Sequence, residues 1–198
     1  MVANGNPAAH MKRHLPLALT TLRLLLGPLA LAGALASVAR WIFLPILLLG
    51  TLSDIFDGIL ARRFGVATPA LRRYDSITDV IYYLFILGVL WRLCHDVMME
   101  NIWAVAVILA SEAGSILVCA VKFHKYPATH SWLAKFYGLC LLGSLIALLA
   151  FNAGKWAVIT LAIVAAITNT EIILLHLFAK APPVDVRSIC HWPEQDKR

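Results

Sequence analysis

The chain has 198 residues, 61% of them hydrophobic and 14% charged, with a formal net charge of +6. Soluble domains are about 45–50% apolar and about 25% charged, so this composition points to lipid as the main solvent and argues against a soluble enzyme, a disordered chain or a secreted disulfide scaffold. At roughly 20 residues per helical crossing, the length accommodates about six spans and a small tail, with no room for a separate soluble domain.

In chain order, residues 1–15 carry charge but no apolar stretch and read as a cytoplasmic N-terminal segment. The first long apolar run has no convincing cleavage site after it, which predicts a retained helix and not a signal peptide. Apolar segments fall at about 16–38, 41–62, 76–92, 101–121, 132–151 and 156–178. The expected fold is therefore all-α, a six-helix integral membrane domain over 16–178 followed by a polar cytoplasmic tail over 179–198. Cys94, Cys119, Cys140 and Cys190 are widely spaced, form no CxxC pair, and read as packing residues.

If the helices alternate, Arg40, Arg92 and Lys155 fall on one side and the other fourteen Lys and Arg residues on the opposite side. That asymmetry places both termini, and the connections at 62–73 and 122–135, in the cytoplasm. It also accounts for the positive charge through topology and anionic headgroups, without nucleic acid. Trp41, Trp91, Trp103, Trp132 and Trp156 all sit at span ends, as interfacial anchors do.

Within this apolar chain, four acids stand close together. A carboxylate inside a span costs about 2.5–3.5 kcal/mol or more unless paired or wetted, so each is a candidate functional group. Asp54 and Asp57 lie at i and i+3 near the end of the second span, and Asp75 and Asp79 at i and i+4 at the start of the third. Helical spacing puts each pair on one face, and the short connection brings both pairs to one membrane depth. Two divalent cations would neutralise them, and oxygen-only ligands suit Mg²⁺, Mn²⁺ or Ca²⁺ over zinc. Beside them, Gly58 uncovers backbone, Ala61 shares the stripe, and Arg62 offers a planar fork for a phosphate. Together these suggest a diphosphate ligand. The plainer alternative makes Asp54 and Asp57 ion-pair partners of Arg62 and Arg63, with Gly58 and Ala61 as close-packing residues.

Residues 54–79 read D-I-F-D-G-I-L-A-R-R-F-G-V-A-T-P-A-L-R-R-Y-D-S-I-T-D. This resembles the signature of the CDP-alcohol phosphatidyltransferases, DxxDGxxAR, eight or nine residues, then GxxxDxxxD. Seven of its eight fixed positions are met, and Leu71 stands at the second glycine, which in the family lets the nucleotide approach the third helix. The stretch P-L-A-L-T-T-L-R-L-L-L-G-P, Pro16 to Pro28, is similar to the PNxLTxxRxxxxP opening of many bacterial members, with Leu17 in place of Asn. The resemblance spans 16–178 and is nearest to phosphatidylglycerophosphate synthase-like members. It implies a homodimer in a bacterial inner membrane with the active site facing the cytoplasm.

Carried over by motif position, the resemblance implies that Asp54 and Asp75 bridge two metals (Mg²⁺ or Mn²⁺), Asp57 completes the first site, and Asp79 helps hold the second while acting as general base. It also implies that Gly58, Ala61, Arg62 and Thr68 contact CDP-diacylglycerol, with Thr20 near the nucleotide. The expected reaction moves a phosphatidyl group to a small alcohol and releases CMP, and glycerol 3-phosphate is the favoured acceptor. Inositol phosphate, serine or another alcohol is the alternative. Arg72, Arg73 and Lys135 are candidates for an acceptor phosphate. Lys122, His124 and Lys125 read as markers of the inner membrane surface. Glu112 and Glu171 either take part in hydrogen bonds between helices or, for Glu112, line the cavity. Asn169 and His176 read as interhelical glue. Two rival readings remain at this level, a divalent-cation transporter, which predicts acids spread along the bilayer depth, and a silent lipid-binding relative.

Overall fold

The computed structural model describes residues 7–124 and 131–179, with side chains from His14 onward. Lys125, Cys190 and nearly all of the tail expected over 179–198 lie outside the described residues. Among the described residues the fold is all-helical, and six helices are long and apolar enough to cross a membrane. The chain divides into two compact units, 1–94 and 95–198.

In the first unit, α1 (Pro7–Leu35), a 3-10 turn (Arg40–Ile42), α2 (Phe43–Arg63) and α3 (Pro69–Leu93) follow one another, and α1 packs against both α2 and α3. The buried face of α1 runs through Pro16, Thr20, Arg23, Gly27, Ala30 and Ala34. These steps of three and four residues keep one stripe toward the neighbouring helices. Small residues let the backbones approach, which is how helices associate where lipid removes the hydrophobic drive. α2 and α3 each pack on α1 and reach one another mainly by long side chains: a methyl group at Gly50 would come within 2.5 Å of the Tyr82 hydroxyl.

The connection from α2 to α3 is short because both helix ends are well closed. Val66 N–H donates to Ala61 O (2.9 Å) and Gly65 N–H to Arg62 O (3.2 Å), with Gly65 at φ +67°. That pair of bonds around a left-handed residue closes a helix without leaving carbonyls unpaired. Thr68 then caps α3, its Oγ1 accepting from Leu71 N–H (3.2 Å), with Pro69 opening the helix. α3 therefore begins at Pro69, ahead of the apolar run near 76, because capping sets its start and the polar R-R-Y-D stretch forms its first turns. Asp75 and Asp79 consequently lie well inside the helix and not at its opening. Likewise α1 starts at Pro7, ahead of the apolar boundary at 16. At the other end of α3, Arg40 Nη2 donates to Leu93 O (2.6 Å), supplying a cation to the negative end of the helix.

The second unit holds a short α4 (His95–Glu100), which the apolar pattern does not announce, then α5 (Ile102–Phe123), α6 (Trp132–Leu149) and α7 (Lys155–Phe178). α7 packs on α5 and α6. Asn169 Nδ2 donates to Ser111 Oγ (3.2 Å), Ser131 Oγ donates to Glu171 (3.0 Å), and Lys122 Nζ donates to Leu177 O (2.6 Å). Asn169 thus joins two helices as expected, and Glu171 takes part in the hydrogen bonding as well. The Nδ1 of His176 lies 2.7 Å from Ile172 O of its own helix, and its ring faces that of Phe123 on α5, centroids 6.0 Å apart. Cys94 and Cys119 are buried and Cys140 half-buried, and none of the three is in a disulfide among the described residues. The five tryptophans at span ends are all exposed.

Candidate functional site

The site is built in the first unit, where three helices each contribute to one cluster. On α2, Asp54 and Asp57 fall three residues apart, with Asp57 buried and Asp54 half-exposed. On α3, Asp75 and Asp79 fall four apart, each with about a third of its side chain accessible. Oxygens of Asp54, Asp57 and Asp75 all lie within 4.8 Å of one another. The expected meeting of the two acid pairs is therefore present.

The residue that organises them comes from α1. Arg23 has a side chain only 2% exposed, and its guanidinium reaches all four acids. Nη1 donates to Asp54 Oδ1 (2.8 Å) and contacts Asp79 Oδ1; Nη2 donates to Asp57 Oδ2 (2.6 Å) and Asp75 Oδ1 (2.9 Å). Arg23 lies within the first candidate span, on the buried stripe of α1, and not in a connection between spans. A signal for it was available, since an arginine in an otherwise apolar run, three residues after Thr20 and four before Gly27, sits on the stripe a helix buries.

Thr20, one turn before Arg23, is buried, and its hydroxyl lies 2.9 Å from Asp57 Oδ2 and 3.1 Å from Pro16 O. The structure thus puts Thr20 on a carboxylate of the cluster. Next to it Thr21 and Tyr74 share a hydrogen bond (3.1 Å) that ties α1 to α3. The ion pairs of Asp54 and Asp57 among the described residues run to Arg23, not to Arg62 or Arg63. Arg62 is exposed and folds back along its own helix: a methyl at Gly58 would lie 3.6 Å from its Nη1. Ala61 is buried. Thr68 spends its side-chain oxygen on the α3 cap. Arg72 and Arg73 are exposed on the first turns of α3. Lys135 belongs to the second unit, exposed, with its ammonium 5.3 Å from the centre of the Trp132 ring.

The donor chemistry fits divalent cations. Four carboxylates face one guanidinium, so three negative charges remain without a counter-charge inside the cluster. All the donors are hard oxygens, which suits Mg²⁺ or Mn²⁺. The acids share a single cation at one locus, unlike the chain of sites that an ion path along the bilayer depth would need.

Compared with known proteins, the chain matches the family profile described as CDP-alcohol phosphatidyltransferase over residues 13–170, which includes every helix that bears a cluster residue. No curated protein and no solved structure matches it.

Proposed function

Since the chain belongs to the CDP-alcohol phosphatidyltransferase family, we propose that it moves the phosphatidyl group of CDP-diacylglycerol to glycerol 3-phosphate and releases CMP. The family establishes a membrane enzyme of phospholipid synthesis acting on a CDP-alcohol. The acceptor and the division of labour among residues are our reading. The observation that carries it is the convergence of Asp54, Asp57, Asp75 and Asp79 on one buried guanidinium, leaving an excess of negative charge that divalent cations would balance.

In this reading Asp54, Asp57, Asp75 and Asp79 would together hold two divalent ions. Bound Mg²⁺ or Mn²⁺ would supply charge stabilisation for the transferring phosphoryl group and the CMP leaving group. Asp79 takes the proton of the acceptor hydroxyl as its oxygen attacks phosphorus and the bond from phosphorus to CMP breaks. Thr20 holds Asp57 by hydrogen bonding. Gly58, Ala61 and Arg62 border the diphosphate, with Thr68 nearby, and Arg72 and Arg73 on the first turns of α3 receive the phosphate of the acceptor. The cluster opens to the cytoplasmic face of a bacterial inner membrane, and the enzyme acts as a homodimer. The basic residues at 62–73 favour a phosphorylated acceptor over serine, with inositol phosphate as the second choice.

Purified protein incubated with CDP-diacylglycerol and a panel of alcohols should release CMP with glycerol 3-phosphate when Mg²⁺ or Mn²⁺ is present, and not in a chelator. Asp54→Asn and Asp75→Asn should each abolish release. Full activity in either variant would sink the two-metal reading, and silence with every alcohol would sink the transferase itself.

A further inference from the structure

Arg23 engages the same carboxylates that a divalent ion would need, and it cannot simply leave. Its side chain is buried on the inner stripe of α1, and its two terminal nitrogens are divided evenly, Nη1 to Asp54 and Asp79, Nη2 to Asp57 and Asp75. The remaining donor, Nε, is buried with no acceptor among the described residues, so the guanidinium has a hydrogen bond still to give. Arg62 and Arg63 at the end of α2 and Arg72 and Arg73 at the start of α3 are exposed and screened by solvent.

The charge count then has a consequence. With Arg23 alone the cluster is short of three positive charges, and with one divalent ion beside Arg23 it is short of one. A second ion overshoots by one, which is unfavourable in a partly buried site until an anion arrives. We propose that Arg23 is the resident cation of the cluster and couples metal loading to substrate: one divalent ion binds to the empty protein, and the second binds together with an incoming diphosphate. Arg23 is thus a positioning residue that holds four like charges in register and stops the site from filling before the substrate is present. The inference rests on the metal reading above, with the experiment arranged to separate the two.

The test is Mn²⁺ binding to the full chain in phosphatidylcholine nanodiscs, followed by the electron paramagnetic resonance of free Mn²⁺, with and without CDP-diacylglycerol and with no acceptor alcohol. Empty nanodiscs carrying the same lipid provide the baseline. Wild type should bind one ion alone and two with CDP-diacylglycerol. Arg23→Gln should bind two ions without the lipid, with affinity tightened about tenfold or more by removal of the like charge. Arg23→Lys keeps the charge and should restore the wild-type pattern, which a merely structural role for the side chain would not predict. Two ions bound to lipid-free wild type, or an unchanged one-then-two pattern in Arg23→Gln, overturns the proposal. The wild-type arms decide the matter even if Arg23→Gln fails to fold. No Mn²⁺ bound to wild type under either condition instead removes the metal reading, and this inference with it.

Discussion

At the scale of single residues, the four acids differ in what surrounds them, and the difference separates their roles. Asp57 is buried and held by both Arg23 and Thr20, whereas Asp79 meets the guanidinium from the accessible side of α3. Asp79→Asn should therefore lower CMP release by about 10²–10⁴, as loss of a general base does, while CDP-diacylglycerol still binds with metal present. Asp57→Asn should weaken that binding as well. Equilibrium binding of the labelled lipid beside turnover measurements checks both, and near wild-type turnover by Asp79→Asn would end the assignment. Thr20→Val keeps the shape of the side chain but removes one hydrogen bond from the Asp57 carboxylate. It should raise the Mn²⁺ concentration needed for half-maximal activity, by roughly tenfold if the bond is worth about 1.5 kcal/mol. The acids were legible in the sequence because charge in an apolar run is costly and because i, i+3 and i, i+4 spacings fix a face. Arg23 was legible only as the arginine of the PNxLTxxRxxxxP-like opening, on the stripe α1 buries, because a tally of Lys and Arg by side of the membrane treats every cation as a surface group. Only the contact geometry shows that this one is swallowed by the acids.

At the scale of elements, what brings the two pairs of acids together is the packing of both α2 and α3 on α1, the well-capped turn that joins them, and side-chain contacts between them. Gly50 is the tightest of these contacts, since any side chain there meets the Tyr82 ring and hydroxyl, one turn beyond Asp79 on α3. Gly50→Ala should cost about 1–3 kcal/mol by overpacking and displace Tyr82. A lower unfolding temperature with reduced CMP release is expected, and unchanged thermal stability would show that the two helices have room to give. The number and kind of elements could be read from hydropathy because spans are long and strongly apolar. Boundaries could not, because they are set by polar groups: the Thr68 side chain starts α3 inside a stretch that hydropathy assigns to a loop, and Gly65 ends α2 by its left-handed backbone. α4 is too short, and too polar at its start, to give a periodic signal.

At the scale of the whole molecule, the uneven distribution of Lys and Arg makes a definite claim about sidedness. In a cysteine-free background, single cysteines at Arg63 and Lys135 should react with a membrane-impermeant thiol reagent only from the cytoplasmic side. Those at Ser37 and Lys155 should react only from the other side. Labelling of Arg63→Cys from the outer face would invert the topology and with it the side from which substrate enters. The location of Arg23 also bears on how the protein is made. Its carboxylate partners follow it by 31 residues for Asp54, 34 for Asp57 and 52 for Asp75, so a growing chain delivers the cation first. At synthesis rates of about 5–20 residues per second, the first span waits on the order of seconds before α2 reaches it. Throughout that interval an unmatched guanidinium makes the span reluctant to enter lipid, and each acidic helix that follows is equally reluctant on its own. Insertion of α1, α2 and α3 is therefore expected to be mutual, the three segments entering the bilayer most readily once Arg23 and its carboxylates offset part of one another's charge.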